Sequence, residues 1–186
     1  MTDVDSDRPD LSGRAGGPAL TKLHDAHARD LHRYLARRLN PAVADDLLAE
    51  TFLVAWARRA RYDPARGTAR AWLFGIATNL SRQHARTEAN TLRAMARDAG
   101  RAAVVESEDA ASAARVDAGR AVRALADGLA ALRPEERDVL LLVAWADLRP
   151  VEIAAALDLN VQTVRTHLHR ARTKLRGRLD QGGEGA

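Results

Sequence analysis

Residues 150–168, PVEIAAALDLNVQTVRTHL, limit what this chain can fold into more than any other stretch of it. The segment has the form of a helix-turn-helix: a short helix opened by Pro150, a turn at Asp158-Leu159-Asn160, and a longer second helix. Ala154 is small enough to let two helices cross closely, and Asn160 offers the side-chain oxygen of an N-cap. Val161, Val164, Leu168, Ala171 and Leu175 recur at three and four and predict one buried stripe. Gln162, Thr166, His169, Arg170 and Thr173 fall on the opposite face, flanked by Arg165 and Arg172. Positions 161–178 hold six Arg or Lys residues and no acid, so positive charge gathers where a second helix would enter a DNA major groove.

The rest of the chain reads as helical too. Ala fills 39 of 186 positions and only 4% of residues are aromatic, a composition that favours helices over strands and predicts an all-α protein. The formal charge is only +4, but 27 of the 29 basic residues are Arg, whose planar fork suits phosphates and guanine edges. A GC-rich genome would raise Arg and Ala alike, so position along the chain, not composition, carries the nucleic-acid reading.

Residues 1–18 are polar, rich in Gly, Pro, Asp and Ser, and without period; they read as a disordered leader. An N-terminal helical domain is expected over 19–87. Leu20, Leu23, His27, Leu31, Tyr34, Leu35 and Leu39 form its first stripe, which stops at Asn40-Pro41. A second helix is expected from Pro41 to about Arg61. A turn cluster then precedes a third stripe of Ala69, Trp72, Leu73, Ile76 and Leu80. Residues 88–118 are Ala, Arg, Asp, Glu and Ser with few large apolar side chains, and read as a flexible linker. A C-terminal domain is expected over 119–179, where Val122, Leu125, Leu129 and Leu132 form a stripe and Pro134 opens a further helix. Residues 180–186 read as a frayed tail.

The C-terminal stretch resembles the promoter-binding domain of the extracytoplasmic-function group of sigma factors, in the sigma-70 family. The likeness is carried by Leu132-Arg133-Pro134-Glu135-Glu136-Arg137, by Glu152-Ile153-Ala154, and by Thr163-Val164-Arg165 followed by Leu168-His169-Arg170-Ala171-Arg172. The resemblance implies reading of the minus-35 promoter element by Gln162, Thr163, Arg165, Thr166, His169 and Arg170, with Arg172 and Lys174 mainly on phosphates. The string DDLLAETFLVAWA resembles the segment with which family members grip the clamp coiled coil of the largest polymerase subunit. It implies contacts by Asp45, Asp46, Glu50 and Leu53. The string RGTARAWLFGIATNLSRQHAR resembles the family's element for minus-10 recognition and promoter opening. It implies a base-receiving loop over 61–68, with Arg61, Arg66 and Thr68, followed by Asn79, Arg82 and Arg86 on a polar helix face. Trp72 is expected in the core.

Three positions depart from the family pattern. Asp158 stands where the turn usually has Gly, Arg149 where a hydroxyl cap is usual, and Gly75 where a larger residue is common. Core RNA polymerase, promoter DNA and an anti-sigma factor are the partners the resemblance implies.

No phosphate loop, nucleophile elbow or HExxH site occurs, so nothing points to an enzyme, and no cofactor or metal is expected. His24 and His27 share a face, but with no Cys in the chain they read as surface or core histidines rather than metal ligands. With no Cys, no targeting segment and no apolar run long enough to span a bilayer, a cytoplasmic location and no membrane insertion are expected. The competing reading is a self-sufficient regulator whose N-terminal helices sense a ligand or dimerise. An acidic and apolar patch around Asp46 and Leu53 has no purpose in such a protein.

Overall fold

The computed structural model describes residues 7–98 and 125–183, and every regular element in them is a helix. The helices are α1 (Gly16–Arg38), α2 (Pro41–Ala57), α3 (Ala69–Asp98), α4 (Pro134–Ala146), α5 (Pro150–Leu157) and α6 (Val161–Gly183), with 3-10 turns at Gly13–Ala15 and Arg59–Arg61. Residues 125–130 are also helical. No described helix is long and apolar enough to cross a membrane.

Local chemistry sets the element ends. Proline disfavours the helical conformation in the residue before it, and Asn40 is extended, so α1 stops there. The Asn40 side chain accepts from the Val43 N–H at 2.9 Å and caps α2, with Pro41 at the first helical position. Thr68 does the same for α3, its Oγ1 accepting from the Ala71 N–H at 3.1 Å. Helix α2 ends at Ala57, before the expected Arg61, and the intervening residues form the second 3-10 turn.

The first unit packs α1, α2 and α3 around Leu31, Tyr34, Leu35, Ala44, Leu47, Leu73 and Phe74. Burying each Leu or Phe contributes about 1.5–3 kcal/mol. Tyr34 and Phe74 meet edge to face at 5.4 Å. The Tyr34 hydroxyl is satisfied in a chain: Arg38 donates to it at 3.0 Å, and it lies 2.9 Å from Thr78 Oγ1, which donates to the Phe74 carbonyl. In the second unit Val139, Leu142, Leu148, Ile153, Val164, Leu168 and Ala171 hold α4, α5 and α6 together. Trp72 is partly buried against the core, as expected.

Three boundaries move. Leader residues 7–18 are ordered: Leu11 is buried, a 3-10 turn follows, and α1 already begins at Gly16, under the Leu11 carbonyl. Asp7 ties this segment down, its carbonyl accepting from the Ala69 N–H at 2.7 Å and its carboxylate bonding His27 Nε2 at 2.9 Å. These partners lie far along the chain, and one apolar residue in a polar segment has no period to betray it. Residues 1–6 lie outside the described set. Helix α3 runs past 87 to Asp98, through a stretch whose Ala, Arg and Leu residues have high helix propensity. The linker positions from 99 to 118 lie outside the described residues, as does Val122. At the C-terminus α6 continues to Gly183, into the segment expected to fray.

The two units lie against each other, and their apolar residues form one continuous cluster. Helix α5 lies on α3, where a Cβ at Gly75 would overlap the Ala156 carbonyl oxygen and one at Gly67 would come within 3.0 Å of the Ala155 Cβ. Arg38 and Arg82 of the first unit both pair with the buried Asp138 of α4. Arg70 donates to the Ala146 carbonyl at 2.5 Å, and Arg66 pairs with Asp158 at 2.6 Å.

Candidate nucleic-acid interface

The turn between α5 and α6 is built from the residue that departs from the usual glycine. Asp158 caps α5 in the left-handed conformation, φ 54°, which costs a non-glycine residue roughly 1 kcal/mol. At the start of α5 the missing hydroxyl is replaced from the other side: Glu152 accepts from the Arg149 N–H at 2.8 Å and from its Nε at 3.0 Å. Asn160 Oδ1 accepts from the Gln162 N–H at 2.7 Å and starts α6.

On α6, Val164, Leu168 and Ala171 are buried against the scaffold, while Gln162, Thr163, Arg165, His169, Arg170 and Arg172 are exposed. Thr166 is half-buried, and its hydroxyl donates to the Gln162 carbonyl at 2.9 Å. Among the described residues no carboxylate pairs with Arg165, Arg170 or Arg172, so the face keeps its positive charge. Such a face on the second helix of a helix-turn-helix fits a major groove.

Lys174 is the exception. Its Nζ reaches back 2.7 Å to Glu136, a carboxylate buried in α4, and this pair clamps α6 to the core. Burial pushes the Glu136 carboxyl up, but hydrogen bonds from Lys174 and from the Arg133 N–H outweigh it and hold the group below its ordinary value. The stabilisation is therefore complete above the ordinary carboxylate range and is lost as pH falls through and below it. Lys174→Ala is expected to destabilise the fold by about 1–2 kcal/mol, less than for a fully buried pair because Lys174 is 45% exposed. Urea unfolding across acid pH checks this: the variant is less stable at neutral pH and loses less on acidification.

In the first unit the residues expected at the minus-10 element fall into two groups. Asn79 and Arg86 are exposed on α3 beside Arg82, Gln83 and Asn90, where they line a polar groove of about 370 Å³. Arg61 and Arg66 sit on the 61–68 loop, which with Tyr62 and Trp72 walls a cleft of about 60 Å³. Tyr62 and Trp72 stack at 5.2 Å, and burial first, then the charge of Asp7, pushes the Tyr62 phenol up to about 12. Thr68 is occupied in capping α3. On α2, Asp46 and Glu50 are exposed beside Leu53, which is 70% exposed, while Asp45 pairs with His32 at 3.1 Å.

Residues 23–91 match the family model for sigma-70 region 2, and residues 122–175 match that for sigma-70 region 4. The chain belongs to the sigma-70 family. It is 32% identical to the RNA polymerase sigma factor CarQ of Myxococcus xanthus, over 85% of this chain and 87% of that one. It is 31% identical to the ECF sigma factor SigL of Mycobacterium tuberculosis, over 93% and 97%. In three dimensions it is similar to CnrH in its complex with the cytosolic domain of CnrY, with a TM-score of 0.64, 29% identity, and coverage of 95% of this chain and 99% of that one. These relatives place it in the extracytoplasmic-function group, and nothing in the geometry favours a self-sufficient regulator.

Two features of this sigma factor escape sequence reasoning. Trp56 is a second exposed apolar residue, three positions from Leu53, and its ring carries the Arg59 guanidinium at 3.9 Å. The spacing could have shown it. The pairing of Arg82 and Arg66 with acids of the second unit has no local signal, because each joins positions more than fifty residues apart.

Proposed function

We propose that this sigma factor carries core RNA polymerase to promoters by dividing three tasks among three surfaces. Asp46, Glu50 and Leu53 of α2, flanked by Asp45, dock on the clamp coiled coil of the largest subunit. Asn79, Arg82 and Arg86 of α3, with Arg61, Arg66 and Thr68 of the preceding loop, engage the opened minus-10 element. Arg165, Thr166, Arg170 and their neighbours on α6 read the minus-35 element, with Arg172 on phosphate. Lys174 serves the fold first. The chain acts without catalysing a reaction of its own, in the cytoplasm. The observation that carries the reading is the exposed face of α6 over 161–178, which holds no acid, in the same chain as the carboxylate and leucine patch of α2. An anti-sigma factor completes the set of partners, supported by the likeness over nearly the whole chain to CnrH as bound to CnrY.

The test is to mix the purified chain with core polymerase and a random promoter library and to sequence the transcript starts. The expected result is a set of starts preceded by two shared elements at fixed spacing. Starts with no shared upstream sequence would overturn it.

A further inference from the structure

We propose that residues 7–11 form a strap that holds the minus-10 loop in shape, with Asp7 as the positioning residue for the base-receiving segment 61–68. The inference rests on the promoter-binding reading above.

The first amides of a helix have no partner within it. At the start of α3 the Ala69 N–H donates to the Asp7 carbonyl at 2.7 Å, the Arg70 N–H to Asp7 Oδ1 at 3.3 Å, and the Ala71 N–H to Thr68 Oγ1 at 3.1 Å. Of these three acceptors only Thr68 belongs to the loop. Residue 7, which stands 63 positions before Arg70, therefore supplies most of the cap that decides where the loop ends and α3 begins. The same carboxylate oxygen lies 2.9 Å from His27 Nε2, so Asp7 joins the leader, α1 and α3 at one point. Arg8 takes hold of the loop itself by donating to the Pro64 carbonyl.

The strap is anchored in turn. Leu11 is buried, and its backbone crosses the start of α1 so closely that a Cβ at Gly16 would stand 2.3 Å from the Leu11 carbonyl oxygen. Within the loop, Asp63 Oδ1 accepts from the Ala65 N–H at 2.9 Å, and the Tyr62 hydroxyl donates to the Gly67 carbonyl at 3.2 Å. These bonds shape the loop, and the strap fixes that shape on α1. A pocket for an unstacked base needs its polar groups in place beforehand, since ordering them on binding costs affinity.

Charge gives the proposal a sign of its own. Asp7 is an acid beside a surface assigned to DNA, so on electrostatics alone its removal should strengthen binding. Positioning requires the opposite.

The full chain is assayed in holoenzyme with core polymerase, on one promoter recovered from the random library and on templates carrying each single-base replacement in its minus-10 and minus-35 elements. Three variants are compared with the unaltered chain. Asp7→Ala removes the side-chain acceptor, and Asp7→Asn has the same charge as Asp7→Ala but keeps an oxygen for the Arg70 N–H. Gly16→Ala improves the helix propensity of α1 while pushing the Leu11 backbone away, without touching the loop. Asp7→Ala and Gly16→Ala should each lower open-complex formation about tenfold, the scale of one charge-assisted hydrogen bond, and flatten the base preferences in the minus-10 element. Minus-35 preferences and capture by polymerase should stay as they are, and Asp7→Asn should restore most of the loss. Hydrogen exchange should quicken at the Ala69 and Arg70 amides in Asp7→Ala and stay slow in α2. Unchanged minus-10 preferences in Asp7→Ala, tighter promoter binding by that variant, or equal losses at both elements would overturn the strap. An unaltered chain with no minus-10 preference would overturn the promoter reading itself, and the strap with it.

Discussion

Reversing two carboxylates on α2, Asp46→Arg together with Glu50→Arg, is expected to abolish capture of the chain by core polymerase while leaving it folded. The two residues are four apart, so they share one helix face, and Leu53 continues that face one turn on. Both are exposed and pair with no cation among the described residues, so their removal breaks no internal contact. Arginine is as good a helix former as glutamate, and α2 buries the opposite side through Ala44, Leu47, Thr51 and Ala55. Against a basic partner helix, attraction becomes repulsion, and like charges across an interface cost several kcal/mol. Affinity should then fall at least about a hundredfold. Co-purification with core polymerase measures the loss, and circular dichroism verifies the fold. A folded double variant that still co-purifies would remove α2 as the docking surface. Asp45 is a weaker target because His32 already engages it.

Arg165→Ala is expected to weaken minus-35 binding by about 1–3 kcal/mol, the range for one good bidentate base contact. Arg165 sits in the second turn of α6, directly after Val164, whose complete burial fixes that turn on the scaffold. A long side chain on a fixed base can hold its fork in one place, which specificity requires. Arg172, two turns further along and equally exposed, should behave otherwise. If it meets only phosphate, Arg172→Ala weakens all sequences alike and lowers the salt dependence by about one counterion. Titrating the full-length chain in polymerase holoenzyme onto matched and scrambled upstream elements, at several salt concentrations, separates the two. Equal losses on both DNAs for Arg165→Ala would move base reading to Thr166 or Arg170.

The sequence by itself determined the helices and the turn of the helix-turn-helix, because each is a local pattern, and its likeness to the family marked the three faces proposed for function. A stripe at three and four, an asparagine or proline at a helix start, and a run of arginines without acids are all readable within about twenty residues. The exposure of Leu53 beside Asp46 and Glu50 followed from the same periodicity. Tertiary structure alone decided the rest. Leu11 and Asp7 are ordered by partners on α1 and at the start of α3, so a polar, aperiodic leader gave no sign of it. Lys174 belonged by position to the DNA-facing helix, yet a carboxylate buried 38 residues earlier claims its ammonium. Gly75 had no legible purpose until α5 was seen lying against it. These are pairings between distant positions, and a burial or a charge that depends on a distant partner leaves no period in the chain.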